Sequence, residues 1–245
     1  MNKIKTILPI VAVLILLNGC VTYYPQVVDL PLITEKGDIR IDAGAFLIPD
    51  IKGTKIDSEN KSLLSNVGIH ATFTAGITDL LAVQTYASVD LLLRCHIQGA
   101  LGLYNRFENN TVIEMYSGLG YGNRISSLSN NRTNVDLDDY CLTFAQLNFG
   151  KTNFGSKHID CGLGVKGGYL FTNIPTYYSL ATIYKKDGWL IEPTVFIRFG
   201  GSRAKFNMKI NYMWTNTIVD EYYYPVNVSF GVNFHAGKKS TTNKK

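Results

Sequence analysis

The feature that most constrains this chain is a period-two alternation of apolar and polar residues, repeated in segment after segment. Over 158–169, Ile159, Cys161, Leu163, Val165, Gly167 and Tyr169 fall on one parity, and His158, Asp160, Gly162, Gly164, Lys166 and Gly168 on the other. Successive side chains of a strand point to opposite faces, so such a segment is a strand with one apolar and one polar face. In 189–199, Trp189, Ile191, Pro193, Val195, Ile197 and Phe199 oppose Leu190, Glu192, Thr194, Phe196 and Arg198. The same reading holds for 204–214, 226–234, 66–77 and 111–122, and more weakly for 39–46, 81–88, 95–104 and 140–150. The segment 140–150 alternates poorly. The sum is about ten strands joined in sequence.

Alternation alone fits a soluble barrel or sandwich as well, so other signals decide. The runs are about 9–12 residues long, the span of a tilted transmembrane strand. On the apolar parity, Trp189, Trp214, Tyr121 and Tyr169 fall at one end of their strands and Phe199, Phe206 and Phe234 at the other. Two aromatic belts flanking aliphatic residues match the two interfaces of a bilayer. Short connections at 78–80, 107–110, 151–157 and 200–203 alternate with longer polar ones at 48–62, 123–139, 172–188 and 215–224; the tight connection near Asp90 breaks the pattern. Transmembrane barrels have short periplasmic turns and long extracellular loops. The polar parity is rich in Gly rather than crowded with Lys and Glu, which suits a narrow lumen. The expected fold is all-β, an antiparallel up-and-down transmembrane β-barrel of about ten strands (8–12), whose even count closes without an exposed edge.

The N-terminus opens with Lys3 and Lys5, then an apolar run over 7–17, then Leu17-Asn18-Gly19-Cys20. A basic start and a short apolar stretch make a secretory signal rather than a spanning helix. Leu-x-Gly-Cys resembles the lipobox of bacterial lipoproteins, which implies that Cys20 becomes the lipidated, palmitate-bearing N-terminus. Val21 is not acidic, which by the same resemblance implies sorting to the outer membrane. The resulting division is 1–19 signal peptide, 20–36 lipidated linker, 37–236 barrel and 237–245 basic tail. Lys238, Lys239, Lys244 and Lys245 supply part of the net charge of +5, so that charge is no argument for nucleic acid.

Pro31-Leu32-Ile33-Thr34-Glu35-Lys36-Gly37-Asp38, preceded by the aromatic-Pro pair Tyr24-Pro25, resembles the lead-in of a group of uncharacterised outer-membrane β-barrel lipoproteins. The resemblance implies a barrel anchored on the periplasmic side, feeding its first strand outward. As partners it implies outer-membrane lipid and the barrel-assembly and lipoprotein-sorting machineries. It carries no activity. Physically, Glu35-Lys36-Gly37 reads as a turn, and Pro25 and Pro31 keep the stretch between them extended. Whether that stretch lies on the membrane or enters the periplasmic mouth is open at this level.

Candidate chemistry concentrates on the polar parity. Arg40, Asp42, His70, Glu114, His158, Asp160, Lys166, Glu192, Arg198, Lys205 and Lys209 are expected to form a polar lumen network, with His96 and His235 on the same parity. Acids and bases roughly balance, which favours ion pairing over an ion-selective channel. No serine–histidine–acid set is legible, and Cys95, Cys141 and Cys161 have neither disulfide-framework nor zinc spacing, although one pair could bridge. Asp136, Asp138 and Asp139 could meet a divalent cation but lack the spacing of a calcium loop. Gly118-Leu119-Gly120-Tyr121-Gly122 and Gly162-Leu163-Gly164 sit inside strands and make room rather than bind phosphate. The expectation is a monomer without cofactor, metal or enzymatic activity. It has a structural or surface-interaction role and meets a glycan or protein through its loops. The alternatives are a narrow pore for small polar solutes, a membrane-embedded hydrolase, and a soluble lipid-tethered barrel carrying an apolar ligand.

Overall fold

A computed structural model of the chain describes residues 25–49, 64–91, 94–124, 140–154, 158–172, 187–216 and 225–237. Strands β1 (Ile39–Pro49), β2 (Leu64–Gly76), β3 (Leu81–Asp90), β4 (Arg94–Arg106) and β5 (Thr111–Arg124) form a continuous antiparallel meander with β6 (Tyr140–Lys151), β7 (Ile159–Thr172) and β8 (Gly188–Gly200). β9 (Ala204–Tyr212) and β10 (Trp214–Thr215) pair with β8, β9 also pairs with β11 (Val226–His235), and β11 pairs with β1, closing the sheet on itself. β9 and β10 are one stave, so the wall is a ten-stranded barrel. Among the described residues, closure pairs every strand but the two-residue β10 on both sides, which removes the long open edges a sheet would otherwise present.

The break in that stave has a chemical cause. The pairs Thr194↔Asn211 and Ile191↔Trp214 keep one register, which sets Tyr212 opposite Pro193. Proline has no N–H to return to Tyr212, so the ladder lapses there, and the Met213 amide bonds Pro225 O on the other side at 2.7 Å. Each of the other nine staves is a single strand.

The two faces are inverted relative to a water-soluble protein. Outward-facing Leu101, Leu119 and Ile69 are 70%, 67% and 62% exposed, while Glu114, Lys166, Glu192, Arg198 and Lys209 inside are 0% exposed. Soluble proteins bury the first set and solvate the second. The interior is therefore polar, opposite to what a soluble carrier of an apolar ligand requires. Trp189, Trp214 and Tyr169 ring the outside at one end, and Phe199, Phe206 and Phe234 at the other, where the rings of Phe199 and Phe206 lie 5.0 Å apart.

β1 begins and β11 ends at the same rim, together with the connections at 77–80, 107–110, 152–158 and 201–203. We call this the turn end. The opposite rim, the loop end, carries the connections at 50–63, 125–139, 173–187 and 216–225 and the tight one after Asp90. Asp136, Asp138 and Asp139, the lysines of the tail, and Cys20 lie outside the described residues.

The poor alternation of 140–150 is explained by what faces inward. Tyr140, Leu142 and Phe144 of β6 point into the lumen and pack with Leu170, Leu190 and Met213 as an apolar cluster toward the loop end. The inward residues there are as apolar as the outward Cys141, Thr143 and Ala145, or more so, and the period-two contrast fades.

Candidate functional site

The lumen is filled, and what fills it is the chain's own N-terminal stretch. Residues 25–34 run through the barrel interior without joining any strand, and Gln26, Val27, Leu30, Leu32 and Ile33 are each 0% exposed. Two prolines disqualify this stretch from a ladder, and an isolated extended chain must find partners for its peptide groups elsewhere.

The wall supplies them from side chains. Near the loop end, Asn227 Nδ2 donates to Pro25 O at 2.7 Å, Asn211 donates to Gln26 O, and the Gln26 amide donates to Glu192 Oε1 at 3.2 Å. The Val27 amide donates to the Tyr86 hydroxyl at 3.3 Å, while Tyr86 and Ser88 hydroxyls both donate to Gln26 Oε1. Midway, Gln146 Nε2 donates to Asp29 O at 2.7 Å. Toward the turn end the Ile33 amide donates to Glu114 Oε1 at 2.7 Å. A buried peptide group left unmatched costs about 1–3 kcal/mol, so these side chains hold the strap as a sheet neighbour would.

Charge fixes its depth. Asp29 of the strap accepts from Lys209 Nζ at 2.6 Å and lies 3.3 Å from Arg198; Lys209 also donates to Asp42 at 3.0 Å. Asn207 and Asn233 donate to the remaining Asp42 oxygen. Without Asp29, Asp42 would be the one acid facing two buried cations. Two further pairs lie within the wall itself: Lys166 with Glu192 at 2.5 Å and Lys205 with Asp160 at 2.6 Å.

Apolar contacts complete the seal. Val27 packs with Phe46, Ile48 and Tyr86; Val28, Leu30 and Leu32 pack with Val112 and Phe196; Ile33 packs with Ala82, Tyr104 and Tyr116. Glycines on the wall leave the room. A Cβ at Gly150 would sit 2.7 Å from Leu32 Cδ2, and one at Gly164 3.0 Å from Leu30 Cδ2.

At the turn end the strap reverses into β1. The Asp38 amide donates to Glu35 O at 3.1 Å, Gly37 takes a positive φ of 81° that suits glycine, and the Gly37 amide donates to Gly76 O at 2.8 Å. The expected turn at Glu35-Lys36-Gly37 is there. Asp38 clasps it, accepting from the Thr34 amide and hydroxyl and pairing with His235 at 2.7 Å and Arg40 at 3.3 Å. Burial by itself would raise the Asp38 carboxyl, but His235, Arg40 and Thr34 together hold it well below the usual carboxylate range. Outside the clasp lies a polar vestibule of about 900 Å³, lined in part by Arg106, Asp160, Arg203 and Lys205.

Of the expected lumen network, Arg40, Asp42, His70, Glu114, Asp160, Lys166, Glu192, Arg198, Lys205 and Lys209 are buried inside the barrel. His158 is a correction: it precedes β7 and is exposed at the turn end, its Nδ1 lying 3.0 Å from Gly200 O. Its carbonyl still accepts from the Gly200 amide at 3.0 Å, so it continues the ladder but stands on the rim beyond Asp160, the last buried inward residue of β7. His96 is buried with its Nδ1 2.6 Å from the Tyr140 hydroxyl, and His235 belongs to the clasp. Cys95, Cys141 and Cys161 are free. Among the described residues no group of His, Cys, Asp and Glu could hold a metal ion.

Sequence reading left open whether the stretch that forms the strap enters the barrel and did not single out Gln26 or Asp29. The signal that could have placed it inside was composition: Val27, Val28, Leu30, Leu32 and Ile33 are too apolar for a solvated linker.

No family model matches this chain, and no curated protein does. Among solved structures, the outer membrane protein OprG from Pseudomonas aeruginosa is similar at 15% identity, covering 84% of this chain and 99% of that chain, with a TM-score of 0.38. Likeness at that level says nothing of ligand or activity.

Proposed function

We propose that this chain is an outer-membrane β-barrel lipoprotein, anchored through Cys20, whose lumen is sealed by residues 25–34 and whose working surface is its long loops. It serves a structural or surface-interaction role rather than that of a pore or a hydrolase. The observation that carries this reading is the strap. A continuous stretch of buried side chains runs from Gln26 to Ile33, and its peptide groups are bonded to opposite walls, Gln26 to Glu192 of β8 and Val27 to Tyr86 of β3. A path for solutes would have to displace it. The lumen histidines His70 and His96 are buried at 4% and 1% exposure, which supports a packing role for them.

The bilayer enters through the outer face, which is apolar between two aromatic belts and therefore suits lipid. Acylation of Cys20 and passage through the sorting and assembly machineries belong to the same reading, as does a glycan or protein partner at the loops.

The test is electrical. The Cys20→Ser chain, refolded in detergent and added to a planar bilayer, is expected to show heat-modifiable migration on a semi-native gel and no conductance above baseline. Steady single-channel steps from the unmodified strap would overturn the sealed barrel.

A further inference from the structure

We infer that the acylated N-terminus emerges at the loop end of the barrel, so that Cys20 carries its lipid into the outward-facing leaflet and residues 20–24 are displayed on the outer side. The inference rests on the proposed lipidation of Cys20 and on the loop end being the outer one.

The direction of the strap is fixed by its contacts. Pro25 O is held by Asn227, the second residue of β11 from the loop end, and Gln26 is held by Glu192, Tyr86 and Ser88, all near that rim. Ile33 reaches Glu114, and a Cβ at Gly76, the last residue of β2, would meet Ile33 Cγ2 at 3.0 Å at the turn end. The chain thus enters from the loop end and descends to the turn end before β1 begins.

The chain between Cys20 and Pro25 is too short to undo this. Five extended residues span at most about 17 Å, whereas Asn227, which holds Pro25 O, and His235 of the turn-end clasp stand eight residues apart on β11, about 26 Å along the strand. The route back is also occupied, since Val28, Leu30 and Leu32 already fill the lumen against Val112 and Phe196. The loop-end interface, in contrast, is close. Glu192, which holds the Gln26 amide, lies three positions along β8 from Trp189, part of the outer aromatic belt. A few residues over that rim bring Cys20 to the level where acyl chains begin. A periplasmic anchor feeding straight into β1 does not fit this path.

The topology also has an assembly consequence. A strap with a lipid at its far end cannot be pulled through a closed ring of ten strands, so the wall must close around it when β11 pairs with β1.

The experiment uses the full chain in Gram-negative cells, with Cys95, Cys141 and Cys161 changed to Ser and a single Thr22→Cys reporter. A membrane-impermeant maleimide is expected to label it on intact cells to the same extent as after permeabilisation, as it does a control Ser127→Cys in the 125–139 loop. Labelling of Thr22→Cys only after permeabilisation, with Ser127→Cys labelled on intact cells, would overturn the inference. If neither is labelled on intact cells, the orientation of the barrel is reversed and the inference also fails. Palmitate incorporation that is lost in Cys20→Ser tests the lipidation reading separately. The path is checked by Leu30→Cys with Gly164→Cys, expected to form a disulfide in the assembled barrel; its absence from a heat-modifiable barrel would remove the strap from the lumen.

Discussion

At the scale of single residues, the interior is organised by matched charges, and Asp29 is the residue on which strap and wall meet. Lys209 and Arg198 both face it, and removing one partner of a buried pair leaves an uncompensated charge costing about 3–5 kcal/mol. Asp29→Ala is expected to lower the midpoint of the heat-induced band shift clearly. Changing an exposed acid such as Glu108 should leave it unmoved. The clasp at Asp38 gives a pH dependence of definite sign. A carboxyl whose folded value lies below its ordinary 3.8 stabilises the fold fully above that value and loses its contribution as pH falls through the folded value. Acid unfolding of Asp38→Asn should therefore be flatter below about pH 4 than that of the unmodified chain. Glycine–leucine fit can be tested as a pair. Gly150→Val overfills the lumen beside Leu32, at about 1–3 kcal/mol, and Leu32→Ala in the same chain should relieve most of it.

At the scale of elements, the strap behaves like an eleventh strand that cannot enter the ladder. Pro25 and Pro31 keep it out, and Asn227, Asn211, Gln146, Glu192 and Glu114 replace the missing neighbour with side-chain bonds. The double variant Asn211→Ala, Asn227→Ala leaves the Pro25 and Gln26 carbonyls without these donors. It should loosen the loop-end half of the strap, seen as flickering conductance in a bilayer where the unmodified chain is silent. Strands themselves were legible in the sequence because each side chain is forced to one face or the other by the pleat. Parity alone does not place His158 in the lumen, because it stands on the open rim before β7, where an inward-facing side chain meets solvent. β6 was weakly read because its inward residues toward the loop end, Tyr140, Leu142 and Phe144, are apolar for packing rather than polar for solvation.

At the scale of the whole molecule, an exposed surface and a lipid-facing surface look alike in area but not in energetics. Leu101 stands at the middle of β4 and is 70% exposed. On a water-solvated wall Leu101→Lys would be near neutral; on a lipid-solvated one it costs about 2–4 kcal/mol at the midplane. Refolding into lipid vesicles followed by denaturant titration is expected to show the larger loss.

The sequence by itself determined which side chains face in and which face out. That information is local: a two-residue period, an aromatic at each strand end, a glycine in the turn before β1. It therefore also determined that the strands close with a polar interior. Only the tertiary structure decided that this interior is occupied. A strap held by Asn, Gln and Glu side chains from separate strands has no period and no short motif, and its partners lie as far apart in sequence as Pro25 and Asn227. They meet only as the barrel closes around the strap, when donors and cations from separate strands come to face one stretch of extended chain.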